Sequence, residues 1–509
     1  MKPESPLRTA WKRLLTPEWL MTAMGVVWLT GFPFWQDGSY SHITRAKWVG
    51  MLILLAVTAV GTMCALALRM RQGKTLRWGW PQAAGLVYFA LVALSAVYGS
   101  WTDHAGADGK LTVIWGAHRY EGLLTQLCYG AIFLCMSLTR VNLRWLLTGM
   151  ADALLVSCAV TALQYAGVNV LGLFPENTGI LTHYEFQGLI GNIDMVTGYV
   201  SLAVPALMAG YVRQGRVLWL VSALGGVLLI LCMQVQSGLI MLMAVLFLLV
   251  LLALRRPALR WRTGLLLGLI LLLVSVRLLL GLPWLDGTAQ LTFPHAASWL
   301  KLLPALMGAV LIALSAAVLR RCPGKALRRR WIALIAALVL LAGLALAAFA
   351  PIPPGNGLWE LQEILHGRIQ DSFGSERIGV WRLTLEMSRE HLLLGTGPDT
   401  FLYAMDDYMA RTGQSLTQHF DNPHNLFLAV LANNGLPAML IFIGLLALAL
   451  ITALRRLGRD ECVLPLLLAV TGYLLQGMFT FSICLVTPMF YAMLGMLTAQ
   501  CALPPTRKE

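Results

Sequence analysis

Charged residues are scarce in this chain of 509 residues: Asp, Glu, Lys and Arg make up only 12% of it, whereas 58% is hydrophobic. A soluble globular protein carries about twice that share of charge. Apolar runs of membrane-spanning length alternate with short basic clusters, which predicts an all-α polytopic membrane protein. The net charge of +14 does not indicate a nucleic-acid partner, because the basic residues lie between the apolar runs.

The sequence also lacks the cysteine and histidine patterns of disulfide frameworks and zinc sites. Its nine cysteines lie within apolar runs, at their ends or in predicted cytoplasmic loops, and none forms a CxxC pair or a Cys/His metal spacing. We therefore expect no bound metal and no cofactor. A cleavable signal peptide is not recognisable either, so the first apolar run is predicted to be a retained span.

About fourteen apolar runs are long enough to cross a bilayer, at roughly 20 residues per span. Lys and Arg concentrate in alternate connections, which predicts an even number of spans with both termini in the cytoplasm. All nine histidines then fall in outer segments. The predicted spans lie near 18–35, 47–68, 81–100, 121–138, 145–166, 193–212, 217–235, 238–254, 263–282, 298–319, 332–350, 425–453, 462–482 and 485–503.

One long polar segment interrupts these runs and suggests a division of the chain. We predict a bundle of about eleven spans over 1–350, an extracytoplasmic loop over 351–424 and about three further spans over 425–509. Within the loop, one amphipathic helix is expected from a cap at Ser375, and a second from about Asp399. Such helices would lie on the membrane surface and cover a cavity of the bundle.

The end of the polar segment carries the most suggestive histidine. Pro423 fits a first helical turn and Asn422 can cap it, which puts His424 in the first turn of a membrane helix. The helix dipole disfavours a positive charge there, so the imidazole should be neutral and able to accept a proton. A capping or interface role is the alternative. Gly435 and Pro437 predict a kink that leaves backbone carbonyls in need of other partners.

Several arginines are candidates for binding an anion. The polar segment has ten Asp or Glu against five Arg and no Lys, which excludes a general attraction for anions. A single guanidinium can still bind phosphate through its planar fork, and Arg377 and Arg382 lie on the first amphipathic helix. Arg119 precedes a span, and Arg277 lies in an apolar run, where charge marks a cavity or reaches the surface. Ion pairing or membrane-surface placement is the alternative for Arg377 and Arg382, and membrane-surface placement is the alternative for Arg277.

Six short motifs follow one another along the chain with a characteristic spacing. They are Arg119-Tyr-Glu-Gly122, Gly191-Asn192-Ile-Asp194, Ser375-Glu-Arg377, Trp381, Gly395-Thr-Gly397-Pro398 and His424-Asn425. In this order they resemble the O-antigen ligase and Wzy-type polymerase family. Members of that family are membrane glycosyltransferases of the GT-C-like kind. They move a glycan from an undecaprenyl-diphosphate carrier to a lipid, glycan or protein acceptor at the outer face of the bacterial plasma membrane.

The resemblance implies roles for single residues. His424 would be the general base, and Arg377 would bind the donor diphosphate without help from a metal. Many relatives have a second arginine after a serine at the outer end of a middle span, but here that place reads Gln236-Ser237-Gly238. Arg119, Arg277 and Arg382 are therefore the candidates for a second donor contact. Asn425 and Asp194 are candidates for contacts with the acceptor or glycan, and Asp194 is alternatively a simple helix-start residue.

Two alternatives stay open at this point. A Wzy-type polymerase would use the same donor site, so the motifs do not separate it from a ligase. A non-enzymatic flippase or transporter of lipid-linked oligosaccharide is the rival from another class, since fourteen spans suit it too. Transporters usually have paired repeats with interrupted helices near the middle of the membrane. The sequence has no recognisable repeat, which favours the enzyme.

Overall fold

The computed structural model describes residues 16–73, 75, 78–99, 109–117, 119–174, 186–233, 235–280, 302–320, 357–458 and 460–502. These residues are almost entirely helical. In chain order the helices are α1 Pro17–Val26, α2 Ile43–Arg71, α3 Trp80–Gly99, α4 Gly109–Trp115, α5 Leu123–Ser137, α6 Leu143–Tyr165, α7 Ile193–Gln214, α8 Val217–Met233, α9 Gln236–Arg255, α10 Arg260–Leu280, α11 Leu303–Arg320, α12 Gly357–Leu365, α13 Arg377–Ser388, α14 Phe401–Thr412, α15 Leu426–Leu457, α16 Leu464–Gly477 and α17 Thr487–Ala502. One antiparallel hairpin pairs β1 Phe186–Gln187 with β2 Gly191–Asn192.

The described helices confirm the class of an all-α polytopic membrane protein. Seven of them are long and apolar enough to cross a membrane: α2, α3, α6, α7, α9, α10 and α15. Shorter apolar helices are α5, α8, α11 and α16. The count of fourteen spans stays a prediction, because the run predicted at 332–350 lies outside the described residues.

Helix α7 is the centre of the bundle, with its apolar part entirely buried against α8 and α16. Its start is capped by Asn192, whose side chain accepts a hydrogen bond from Asp194 N–H at 2.9 Å. Small residues allow the close packing: a Cβ on Gly472 of α16 would lie 2.4 Å from the Ser201 carbonyl oxygen. Such contacts between small residues and backbone are typical of packed membrane helices.

The polar segment, residues 357–425, folds into three helices, one more than predicted. The sequence predicts a loop, and not a helix, where α12 lies. The other two, α13 and α14, lie where the sequence predicted amphipathic helices. They pack into a small apolar core that also contains a residue of α15. Its buried members are Val380, Leu383, Met387, Phe401, Ala404, Met405, Tyr408, Phe420 and Ala432. The segment is therefore anchored on the first part of α15.

The start of α13 corrects one prediction. Ser375 is not the cap, because Gly374, Ser375 and Glu376 all have positive φ values and Glu376 is the residue that precedes the helix. The Glu376 carboxylate accepts hydrogen bonds from the N–H groups of Thr417 and Gln418, at 2.7 and 3.0 Å. The left-handed turn is thus held by a distant part of the segment, which local sequence rules do not detect.

Candidate active site

The start of α15 differs from the sequence prediction. The Asn425 side chain accepts hydrogen bonds from the N–H groups of Phe427 and Leu428, at 3.0 and 3.1 Å, so Asn425 is the cap. Asn422, the predicted cap, accepts a hydrogen bond from His424 N–H instead, at 3.1 Å. His424 has a left-handed backbone with φ of 49°, which no residue of a right-handed helix adopts. The helix therefore begins after His424 and Asn425.

His424 is half-buried between aromatic rings just before the helix. Its imidazole meets Phe420 and Phe481 edge to face, with centroids 5.8 and 5.1 Å away. The preceding residue is fixed too, because Trp381 Nε1 donates to the Pro423 carbonyl oxygen at 2.9 Å. His424 Nδ1 is buried and has no hydrogen-bond partner among the described residues. Packing holds the ring, but this nitrogen lacks the orienting partner that a histidine base usually has.

The electrostatic surroundings keep His424 neutral at neutral pH. Burial, followed by the positive charges of Arg377 and Arg119, lowers its pKa to about 4, and Asp421 acts in the opposite direction. The sequence predicted a neutral imidazole from the helix dipole. The imidazole is neutral, but burial and two arginines are the main reasons. The same interactions show that these four residues form one cluster of charges.

Arg377 is the first residue of α13 and is half-buried. Its Nη1 donates to the Gly374 carbonyl oxygen at 2.8 Å, whereas its buried Nε has no hydrogen-bond partner among the described residues. Burial lowers the pKa of this guanidinium, and Asp194 and Glu360 oppose that effect. Arginine still stays charged near neutrality. A charged, half-buried guanidinium with an unused donor is well suited to bind a phosphate oxygen.

Arg119 reaches the same place from the loop before α5. Its Nη2 lies 2.6 Å from Asp421 Oδ2, and both side chains are about 30% exposed. The guanidinium carbon also lies 4.0 Å from the centroid of Phe481. Phe481 therefore contacts both Arg119 and His424. Of the three arginines that are candidates for the second contact with the donor diphosphate, Arg119 is the one that lies near His424 in the structure.

Asp399 holds the loop that carries Arg119. Its carboxylate accepts hydrogen bonds from the N–H groups of Ala117 and Glu121, at 2.7 and 3.4 Å. Burial raises the pKa of Asp399 to about 6, although these bonds and the charge of Arg119 lower it. Asp399 directly follows Pro398, so its hydrogen bonds connect the Gly-Thr-Gly-Pro motif to the loop that carries Arg119.

Glu121 ties the same loop to the segment before α17. Its carboxyl group accepts hydrogen bonds from the hydroxyl groups of Tyr129 and Ser482, at 2.5 and 3.2 Å. Burial raises the pKa of Glu121 to about 8, against these hydrogen bonds, so the group is mainly protonated at pH 7. Ser482 adjoins Phe481. Glu121 thereby fixes the position of Phe481 relative to Arg119.

A small polar cavity adjoins these carboxyl groups. Asp399, Glu121, Asn422, Ser482 and Asn434 are among the residues that line it. Asn434 Oδ1 is buried and has no hydrogen-bond partner among the described residues. The cavity has a volume of about 40 Å³, which is enough for a few water molecules but not for a sugar ring. This space therefore lies next to the cluster and is too small, in this conformation, to enclose a sugar ring.

The kink predicted in α15 occurs at Gly435, where φ is 83° and ψ is 171°. The Gly-Thr-Gly-Pro motif docks against this break: Thr396 N–H donates to the Ala432 carbonyl oxygen at 3.0 Å, and Gly397 N–H donates to that of Asn433 at 2.8 Å. The expectation that the freed carbonyls would find other partners is confirmed. The motif and the glycine in α15 therefore act as one structural unit that positions the polar segment.

Two predicted arginines belong to other surroundings. Arg382 lies on the exposed side of α13 and forms ion pairs with Asp371 and Glu386, at 2.8 and 3.2 Å. Arg277 lies near the end of α10, where its Nε donates to the Leu231 carbonyl oxygen at 3.0 Å. Neither contributes to the charges that act on His424. We therefore give preference to Arg119 over both as the second cation.

The two residues predicted to contact the acceptor or glycan differ in their surroundings. Asn425 uses both ends of its amide, because its Nδ2 also donates to the Met478 carbonyl oxygen at 3.0 Å. It is thus a cap that joins α15 to the end of α16. Asp194 lies in the first turn of α7, and its carboxylate interacts electrostatically with Arg377 and Arg119. Asp194 therefore borders the charged cluster.

The position where relatives are expected to carry a second arginine is closely packed. A Cβ on Gly238 would lie 2.7 Å from Cγ2 of Thr197 on α7. The start of α9 thus lies against the central helix, and a longer side chain there would require Thr197 to move. Arg119, which contacts Asp421 and Phe481 beside His424, is instead the arginine that the structure places near the histidine.

Four residues in or beside the cluster were missing from the predicted site: Asp421, Phe481, Glu121 and Asp399. Glu121 lies inside the Arg119-Tyr-Glu-Gly122 motif, and Asp399 follows the Gly-Thr-Gly-Pro motif, so both positions carried a usable signal. Asp421 opens the stretch around His424. Phe481 carried no signal, because it is one of 17 phenylalanines in an apolar chain.

Comparison with known protein families points to the family that the sequence motifs resemble. Residues 303–443 match the sequence model of the family described as O-Antigen ligase. The matched region contains Arg377, the Gly-Thr-Gly-Pro motif, His424 and Gly435, and it confirms the resemblance to the O-antigen ligase and Wzy-type polymerase family. No curated protein gives a significant match to the chain.

Proposed function

Because residues 303–443 match the O-antigen ligase family, we propose that this protein is a membrane glycosyltransferase acting on lipid-linked glycans. It transfers a glycan from an undecaprenyl-diphosphate carrier to a hydroxyl group of an acceptor, at the outer face of the bacterial inner membrane. The observation that carries the proposal is the convergence of a neutral His424 with two arginines from distant parts of the chain. A neutral base beside two fixed positive charges is the arrangement that this reaction requires.

The proposed step is a direct displacement at the anomeric carbon. His424 takes the proton of the acceptor hydroxyl, whose oxygen forms the new bond to the anomeric carbon. The bond from that carbon to the phosphate oxygen breaks, and its electron pair leaves with undecaprenyl diphosphate. Attack from the side opposite the leaving group inverts the configuration at this carbon. The reaction follows without a redox partner or cofactor.

Arg377 and Arg119 stabilise the diphosphate as its negative charge develops. Fixed guanidinium groups in a site of low polarity stabilise such charge more strongly than water does, because they need no reorganisation during the reaction. The unused Nε of Arg377 and the partly exposed guanidinium of Arg119 both offer donors to phosphate oxygens. Asp194 feels the charges of both arginines, which supports the proposal that its carboxylate contacts the first sugar of the donor.

Reconstitution of the purified protein in proteoliposomes tests the proposal. His424→Ala and Arg377→Ala should each reduce glycan transfer from the native lipid-linked glycan by at least about 100-fold, a typical loss for a general base or a charge-stabilising group. The matched controls are His419→Ala and Arg411→Ala, two exposed residues of the same polar segment, which should retain transfer. Near-normal transfer by either site variant would refute the mechanism.

Product analysis separates the alternatives that share this donor site. A lengthened glycan on the carrier identifies a polymerase, and a glycan on lipid or protein identifies a ligase. Movement of the intact lipid-linked glycan across the bilayer, without a new glycosidic bond, would identify a flippase and overturn the proposal.

A further inference from the structure

Asp421 is bound to Arg119 at the place where the proposed function requires a phosphate. Its Oδ2 lies 2.6 Å from Arg119 Nη2, and both side chains are about 30% exposed. A carboxylate and a phosphate oxygen compete for the same guanidinium donors. A diphosphate that binds Arg119 must therefore displace Asp421 or share the guanidinium with it. Because this ion pair is open to solvent on one side, water can replace either partner, and a diphosphate, which carries more negative charge than a carboxylate, can compete for Arg119.

His424 lacks a partner that Asp421 is able to provide. Its Nδ1 is buried and has no hydrogen-bond partner among the described residues, although its ring is packed on both sides. In histidine bases this nitrogen usually carries the proton and donates it to a carboxylate, which orients the ring and stabilises the charged form. Asp421 lies three residues before His424 and is, within the described part of the chain, the acidic group whose charge acts on it.

The turn that joins the two residues is anchored at other points. Asn422 accepts the hydrogen bond from His424 N–H, and the Pro423 carbonyl is bound by Trp381. The Asp421 side chain takes no part in these contacts, so it is able to change its partner while the backbone of the turn keeps its conformation.

We propose that Asp421 is a positioning residue that changes partners during the reaction, from Arg119 in the free protein to His424 Nδ1–H when the donor diphosphate occupies Arg119. This inference rests on the proposed function and adds a coupling between donor binding and base strength. The groups that face His424 are Arg377 on α13, Arg119 on the loop before α5 and Asp421 on its own turn. Binding of the diphosphate neutralises the first two, and the released carboxylate adds a negative charge. All three changes favour proton uptake by His424.

The coupling predicts that Asp421→Asn strengthens the binding of the donor and lowers kcat. Without the competing carboxylate, undecaprenyl diphosphate should bind about 3- to 10-fold more tightly, and the KM for the native lipid-linked donor should fall. Without the carboxylate on His424 in the complex, kcat should fall by at least about 10-fold. In the wild type, the fall of kcat at acid pH should have its midpoint at a higher pH than the fall of kcat/KM. This difference between the two midpoints should shrink in Asp421→Asn.

The experiment uses the full-length protein in nanodiscs, with undecaprenyl diphosphate as the binding probe. Asp406→Asn, an exposed acid of the same segment, is the matched control and should change neither Kd nor kcat. Asp421→Glu keeps the carboxylate and should restore part of kcat, which shows that the Asn variant is not merely misfolded. Weaker binding in Asp421→Asn would overturn the proposal, because Asp421 would then only position Arg119. An unchanged kcat would overturn it as well. If the wild-type protein neither binds the probe nor transfers glycan, the proposed function itself is wrong.

Discussion

Replacing Gly435 with alanine should detach the Gly-Thr-Gly-Pro motif from α15. The backbone at φ 83° and ψ 171° is accessible essentially to glycine alone, and alanine there costs about 1–3 kcal/mol. The added Cβ would also lie 2.4 Å from the Leu393 carbonyl oxygen, well inside any normal contact. Because the obstacle is backbone, the segment around Leu393 has to move away.

That movement weakens the backbone hydrogen bonds that hold the motif. Leu436 N–H donates to the Leu392 carbonyl oxygen at 2.7 Å, and Gly397 N–H donates to that of Asn433 at 2.8 Å. Each of these two hydrogen bonds contributes about 1 kcal/mol. Together with the backbone strain of alanine at position 435, the docking of the segment is weakened by roughly 3–5 kcal/mol. We expect the polar segment of Gly435→Ala to open locally while the membrane helices stay folded.

Limited proteolysis in detergent and a transfer assay measure this effect. Cleavage within the polar segment should be at least about 100-fold faster in Gly435→Ala, as follows from a loss of about 3 kcal/mol, and transfer should be nearly abolished. Gly444→Ala on the same helix is the control, since a Cβ there meets nothing within 4 Å. It should be as stable as the wild type or slightly more so. Equal protease resistance of the two variants would refute the reasoning.

Three further predictions concern the charges around the cluster. Arg382→Ala should reduce transfer by less than about 3-fold, because the ion pairs of Arg382 with Asp371 and Glu386 are exposed and weak. A loss of transfer as large as that of Arg377→Ala would contradict this placement. The kcat/KM profile should be flat from pH 7 down to about 5, since the pKa of His424 in the free protein is about 4; an acid limb near 6.5 would contradict this value. Glu121→Gln should retain transfer at pH 7 and lose the fall in folded-state stability that the wild type shows as pH rises from the ordinary pKa of Glu121, 4.5, to its raised pKa of about 8; an identical fall in the variant, measured by thermal unfolding, would contradict this assignment.

The sequence predicted most of the architecture because membrane helices are specified locally. Apolar length and basic connections predict spans without reference to their neighbours, which gives the all-α membrane class, whereas the count of fourteen stays a prediction. The kink at Gly435 and the two amphipathic helices were also predictable, since glycine, proline and helical periodicity act within one element. The start of α15 was not, because Asn422 and Asn425 are both suitable caps. The choice between them depends on the left-handed backbone of His424.

The contacts between distant segments were beyond sequence reasoning for a physical reason. Arg119 and Asp421 are about 300 positions apart, and nothing in their local patterns indicates that they form an ion pair. Phe481 joins Arg119 to His424 only because the segment before α17 passes between them. The expectation of a neutral histidine was correct, but its cause lay in this tertiary arrangement and not in the helix dipole.

The low basicity of His424 has a consequence for the order of events in the proposed reaction. With a pKa of about 4, the free protein holds a histidine that is a poor acceptor for the proton of an alcohol. Burial lowers this basicity most, and the two arginines that add to the effect are the groups that the donor diphosphate would neutralise in the proposed reaction. A base that gains strength only in the donor complex deprotonates an acceptor only when a leaving group is present. In the proposed reaction the arginines would thus both hold the donor and prevent early proton transfer, which would account for their position close to the histidine.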